Sequence, residues 1–222
     1  MTKEENRKRI ADVGIVPVVR ASSPQQALLA AEAVCAGGIP IVEVTMTVPG
    51  AIEVIRQLAK TAGKEVLVGA GTVLDADTAQ RCLDAGAEFL VSPGFDLQTV
   101  KLAKEKGILI IAGALTPTEI ITAWKAGSDL VKIFPCGTVG GAKYIKALKG
   151  PLPQVPMVPT GGVNLDTAAD FILAGAEALG VGGELVSASA LKSGKTSEIT
   201  EAARRFVAIV RETRQQIAAK SN

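Results

Sequence analysis

The sequence contains no histidine. That absence removes the commonest general acid/base and the commonest metal ligand together, so chemistry here must use carboxylates, lysine, hydroxyls and backbone amides. Cysteine is scarce as well. Cys35, Cys82 and Cys136 are odd in number and widely spaced, which argues against a disulfide framework and offers none of the paired spacings of a zinc site. Cys136 directly follows "KIFP" and reads as a small core or loop residue. No apolar run reaches membrane-spanning length, and the opening "MTKEENRKRI" is charged, with no apolar stretch or small-residue cleavage site behind it. A cytoplasmic protein without membrane attachment is the expectation. There is no excess of either charge: Lys plus Arg number 24 and Asp plus Glu 22, both signs scattered. Without a basic cluster to follow a phosphate backbone, nucleic acid is not an expected partner.

What is present is a hydrophobic content of 48% in 222 residues, enough to bury a large core without disulfide or metal. Three segments resemble one another: "AGAEFLV" at Ala85, "AGSDLVKIF" at Ala126 and "AGAEALGV" at Ala174. In each, a glycine (Gly86, Gly127, Gly175) stands where a helix would end in a left-handed residue, and an apolar strand follows. Their spacing is that of about two βα units in a chain that builds eight.

The remaining strands read as "GIVPVV" near Ile15, "IPIVEVT" near Val42, "VLVGA" near Val68, "ILIIAGA" near Ile110 and "PMVPT" near Val158. Helical stretches separate them. In one, Ser23 is placed to cap and Pro24 to occupy the first turn; in another, Thr116, Pro117 and Glu119 form a capping-box pattern. Residues 1–222 thus read as one α/β domain, a single (β/α)8 TIM barrel. An extra N-terminal helix lies near Lys3 to Ala11 and a long C-terminal helix runs from about Ser197 to Ala219. An open doubly wound sheet is the alternative, but the first βα turn, "VVRASSP", lacks the glycine pattern that cradles a dinucleotide.

One strand carries an anomaly. In "DLVKIFP", Lys132 interrupts an apolar run of the kind expected for a strand covered on both faces. The second strand similarly carries Glu43. Both strands are even-numbered, so their inward side chains can share one layer of a barrel. The bland account is a buried ion pair that satisfies itself; the chemical account starts from burial, which favours the neutral, nucleophilic form of an amine. Such an amine forms a Schiff base with a ketone, and a neighbouring carboxylate shuttles the protons.

Around this pair the strand ends supply Thr72 in "GAGT" and Thr160 in "PTGGV". Their hydroxyls suit a small carboxylate or hydroxyl, or else cap the following helices. Gly161 and Gly162, with Gly182 and Gly183, fit a phosphate position at loops seven and eight, where amides face a helix N-terminus. Arg20 could grip a carboxylate or phosphate, or lie idle on the surface. Ser92 and Pro93 form a rigid wall and Phe134 an apolar one beside the lysine, unless both serve packing alone.

Taken together, "VEVTMT", "VGAGTV", "VSPG", "VKIFP" and "VPTGGV" resemble the 2-keto-3-deoxy-6-phosphogluconate (KDPG) aldolase / 4-hydroxy-2-oxoglutarate (KHG) aldolase family, in order from about Gly14 to Val186. The resemblance implies a cofactor-free class I aldolase on a barrel, usually a homotrimer. Its Schiff-base lysine falls on Lys132 and its acid/base glutamate on Glu43. Its substrate-binding positions fall on Thr72, Thr160, Gly161 and Gly162. The implied substrate is a small 2-keto acid, possibly phosphorylated, cleaved to pyruvate and an aldehyde. The galactonate epimer of the phosphorylated substrate is an alternative, as is non-covalent isomerase or epimerase chemistry with Glu43 as base.

The chain departs from the family pattern twice. Some members carry an arginine where this chain has Thr47 and others one where it has Arg20, which assigns the carboxylate to Arg20. Where the family often has a serine in the eighth loop, this chain has Gly183 followed by Glu184. A carboxylate there weakens a phosphate site, unless Glu184 turns away on the first turn of a helix.

Overall fold

A computed structural model describes residues 2–61 and 63–221. The chain starts with α1 (Lys3–Val13) and then alternates strand and helix. The order is β1 (Ile15–Val19), α2 (Pro24–Ala36), β2 (Ile41–Thr45), α3 (Ala51–Thr61), β3 (Leu67–Gly71) and α4 (Ala76–Asp84). It continues with β4 (Phe89–Val91), α5 (Leu97–Glu105), β5 (Leu109–Ala114), α6 (Pro117–Ala126), β6 (Leu130–Ile133) and α7 (Ala142–Lys149). The last elements are β7 (Met157–Pro159), α8 (Ala168–Leu173), β8 (Leu179–Val181), the short α9 (Ala188–Ser193) and the long α10 (Thr196–Ser221).

All named strand pairs are parallel, from β8 through β1 and then in chain order to β7. The ring closes between β7 and β8 through one parallel bridge, Thr160 to Gly180. This is the (β/α)8 barrel that the sequence implies.

The local signals act as expected. Ser23 and Thr116 accept hydrogen bonds from the Gln26 and Glu119 amides, and Thr116 completes a capping box. Gly86, Gly127 and Gly175 adopt φ of 102°, 103° and 96°, conformations that a Cβ disfavours, so each helix ends there and the chain turns into the next strand. Every residue of the eight strands is buried. Their apolar side chains join those of the helices in one continuous core.

The two added helices cover what the ring leaves open. α1 contacts β1 and β5, burying Ile10. α10 packs on α2 and α8, where Thr200 donates to the Ala33 carbonyl. No helix among the described residues is long and apolar enough to cross a membrane.

Candidate active site

Glu43 lies in the middle of β2 and Lys132 in β6, and the two side chains meet inside the barrel. Lys132 Nζ stands 4.0 Å from Glu43 Oε1, with the residues 4% and 1% exposed. That separation is an ion pair but no hydrogen bond, and Glu43 Oε1 has no hydrogen-bond partner among the described residues. A buried carboxylate oxygen left unsatisfied is expensive, and such atoms mark places where a ligand completes the bonding. Burial pushes the Glu43 carboxyl above the usual carboxylate range; the Lys132 ammonium and then the Arg20 guanidinium pull it back in part.

The carboxylate has room because Gly71, at the end of β3, has no side chain. A Cβ there would fall 1.9 Å from Glu43 Oε1. On the other side, Gly113 of β5 pairs with Lys132, and a Cβ on Gly113 would fall 2.2 Å from the Pro93 carbonyl carbon. The "SPG" turn is therefore seated over the strand beside the lysine. Ser92 Oγ fixes it, donating to the Gly94 carbonyl and accepting from the Gly113 amide. Neither Gly71 nor Gly113 is singled out by the residues around it in the sequence. The available signal was a glycine inside a strand pattern, which marks a close approach by another group.

Phe134, two residues beyond the lysine, holds its ring centroid 5.4 Å from Lys132 Nζ. A cation at the nitrogen, ammonium or iminium, is attracted by the ring face. Phe134 also lines a cavity of about 180 Å³ at the β7–β8 seam, with Arg20, Thr160, Gly161, Gly162, Gly182 and Gly183. Seven sequence-predicted residues thus share one wall. Glu43, Lys132, Thr72 and Pro93 lie off that wall, the first two deeper in the barrel. Val18, Val163, Gly180 and Glu184 complete it.

Two alternatives raised by the sequence do not hold. Thr72 and Thr160 do not cap the following helices, whose N-cap positions belong to Asp75 and Thr167. Thr72 instead has φ of 57°, unusual for a β-branched residue and the only non-glycine with positive φ among the described residues. Thr160 is 6% exposed and lies against Gly180, where a Cβ would meet its Oγ1 at 2.1 Å.

The eighth loop also differs from expectation. Gly182, Gly183 and Glu184 are not on a helix: the Leu185 and Val186 amides fold back onto the Gly182 carbonyl, and α9 begins only at Ala188. Glu184 is exposed and stays on the cavity wall. The seventh loop is laced to the sixth, with the Cys136 and Gly137 amides donating to the Thr160 and Gly161 carbonyls. Cys136 itself is packed away, its thiol pushed up to about 11 by burial.

The arrangement can do imine chemistry: a buried amine, a carboxylate 4.0 Å from it and an aromatic face for the cation, beside a cavity lined by Arg20 and the loop glycines. Comparison with known proteins gives the same direction. A protein-family model described as KDPG and KHG aldolase matches residues 6–202. The KHG/KDPG aldolase of Escherichia coli K12 is 38% identical over 194 residues, 87% of this chain and 90% of that one. The 2-dehydro-3-deoxy-phosphogluconate aldolase of Treponema pallidum is 37% identical over 199 residues, 89% of this chain and 94% of that one. The crystal structure of KDPG aldolase from Legionella pneumophila, with pyruvate captured as a covalent carbinolamine, superposes with a TM-score of 0.84 at 32% identity, covering 90% and 97% of the two chains. The chain belongs to the KDPG and KHG aldolase family.

Proposed function

We propose that this protein is a pyruvate-forming class I aldolase whose Schiff-base nucleophile is Lys132. Its substrates are 2-keto acids bearing a 4-hydroxyl, of the type of 2-keto-3-deoxy-6-phosphogluconate and 4-hydroxy-2-oxoglutarate. The observation that carries this reading is the buried Lys132–Glu43 pair with its unsatisfied carboxylate oxygen.

In the cleavage direction the Lys132 amine adds to the C2 ketone, and Glu43 gives the resulting alkoxide a proton, forming a carbinolamine. Loss of water leaves an iminium, its charge faced by the Phe134 ring. Glu43, ionised again, takes the C4 hydroxyl proton. The C4–O electrons form the aldehyde carbonyl, the C3–C4 bond breaks, and its electron pair is received by the iminium as an enamine. Protonation at C3 and addition of water to the imine release pyruvate and restore the amine.

A carboxyl that burial holds above its usual range accepts a proton more readily than an exposed glutamate, which suits a group that must alternately give and take one. Arg20 takes the substrate carboxylate in this reading, supported by its position on the cavity lining and its electrostatic effect on Glu43. Thr72, Pro93, Thr160 and the four glycines frame the remainder of the substrate. We further propose that residues 1–222 act as a single barrel domain, assembled as a homotrimer in the cytoplasm as the family resemblance implies. A mass measurement in solution tests the assembly.

Incubation with pyruvate and borohydride tests the chemistry. A pyruvate-sized reduced adduct mapped to Lys132 by peptide mass spectrometry is the expected result. Pyruvate in large excess without any adduct would remove the imine mechanism and leave the non-covalent use of Glu43 as a base.

A further inference from the structure

The end of β2 is held differently on its two sides. Toward β3 the backbone makes the connection, the Met46 amide donating to the Gly71 carbonyl at 2.8 Å. Toward β1 the register pairs are Val18 with Glu43 and Val19 with Val44, and β1 ends there, one residue short of Arg20. A side chain takes over at that point. Thr45 Oγ1 donates to the Val19 carbonyl at 3.0 Å and lies 2.7 Å from Thr47 Oγ1. Thr45 is completely buried, and its own carbonyl accepts from the Val48 amide in the turn that follows.

Proton counting orients this chain of hydroxyls. A hydroxyl has one proton to give and a carbonyl none. Thr45 gives its proton to the Val19 carbonyl, so Thr47 is the donor in the contact between the two threonines. Neither then has a proton left for a ligand. Arg20 is the opposite case: it is exposed on the cavity wall, acts on Glu43 through its charge and makes no hydrogen bond or ion pair among the described residues. Its donors are free, and what the protein fixes is the backbone that carries it. The Val19 carbonyl belongs to the planar peptide that includes the Arg20 nitrogen, so holding that oxygen sets the direction in which β1 delivers the arginine. Thr45 stands two residues after Glu43 on the same face of β2.

We propose that Thr45 is a positioning residue for the reaction: its hydroxyl, through the Val19 carbonyl, registers Arg20 against the strand bearing Glu43, so that the guanidinium meets the substrate carboxylate. This rests on the aldolase reading and on the carboxylate role of Arg20. Thr47 supports the bond from outside by donating to the same oxygen, which polarises the Thr45 hydroxyl toward Val19.

Pyruvate is the probe, because it carries the carboxylate and the ketone and no aldehyde-derived portion. The quantity read is the pyruvate concentration that gives half-maximal borohydride trapping on Lys132. Thr45→Val keeps the shape and removes the hydroxyl, and Thr45→Ala removes it without setting a methyl against the carbonyl. Both are expected to raise that concentration by about tenfold, the worth of one charged hydrogen bond to the carboxylate, with trapping at saturation unchanged. Thr45→Ser should restore the wild-type value. Arg20→Gln should raise it at least as far, and adding Thr45→Val to Arg20→Gln should raise it no further, since the threonine acts through the arginine. Additive effects in the double variant overturn the proposal. So does a fall in thermal stability of Thr45→Val and Thr45→Ala without a shift in half-saturation, which leaves the hydroxyl a purely structural role. Arg20→Gln at the wild-type value removes the carboxylate role of Arg20 and this proposal with it, whereas absence of any adduct in the wild type removes the aldolase reading itself.

Discussion

Gly69 and Gly71 lie two residues apart on β3, both buried, and each leaves a gap that a neighbouring strand fills. At Gly69 the filler is the Phe89 ring, whose Cε1 would stand 2.3 Å from an added Cβ. At Gly71 it is the Glu43 carboxylate, at 1.9 Å. The same vacancy thus serves two ends. Toward the N-terminal side it lets an aromatic ring complete the packing; one layer further along it lets a charged oxygen reach the barrel interior beside Lys132. The two glycines differ in what fills the gap: an apolar ring that needs no partner at Gly69, and a carboxylate with an unpartnered oxygen at Gly71.

The most severe way to test that division is to remove the amine. Lys132→Ala should abolish cleavage and borohydride trapping together, because no neighbouring side chain can form the imine. Appreciable turnover in that variant would sink the covalent mechanism. Next in size is Glu43→Gln, expected to slow kcat by roughly two to four powers of ten, the usual worth of a positioned acid/base; steady-state kinetics at full activity would place the proton shuttle elsewhere.

The two glycines sharpen the comparison directly. Gly71→Ala should displace the carboxylate and lower kcat by about a hundredfold, the cost of misplacing a reacting group by about 1 Å. Gly69→Ala should instead act on stability, costing about 1–3 kcal/mol through overpacking against Phe89, with kcat changed only a few-fold. Thermal unfolding and kinetics on the pair decide the matter, and equal kinetic losses would erase the distinction between the layers.

The smallest effect is electrostatic. Burial raises the Glu43 pKa in the folded chain, so the folded state holds that proton more tightly than the unfolded state does. Its contribution to stability is fully present below the unfolded value of about 4.3 and is lost as pH rises through the interval up to the folded value. Relative to Glu43→Gln, the wild type should therefore lose thermal stability on moving from about pH 4 towards neutrality. A flat difference across that range would mean that the carboxyl is not raised.

Much of this was legible in the sequence. Helix caps at Ser23 and Thr116 and left-handed glycines at Gly86, Gly127 and Gly175 are local effects, set by neighbours a few residues away, and they punctuate the chain into its βα units. Lys132 and Glu43 stood out because ionised groups in apolar strands contradict the pattern around them. Gly71 and Gly113 did not stand out, since their reason is a contact from another strand, and a lone glycine carries no sign of what approaches it. Gly182 and Gly183 fit by position a loop whose amides face a helix N-terminus, as in barrels of this kind; here a turn through Gly182 intervenes before α9.

The sequence by itself determined the order and length of the units, the parallel sheet they require and the two residue types able to do imine chemistry. These follow from backbone sterics and periodic burial, which act along the chain. Only the tertiary structure decided that Lys132 and Glu43 stand 4.0 Å apart with one oxygen unsatisfied, that the ring closes on a single bridge at Thr160, and that Glu184 remains on the cavity wall. Those are distances between residues far apart in sequence, fixed by barrel closure and by which side chains are absent.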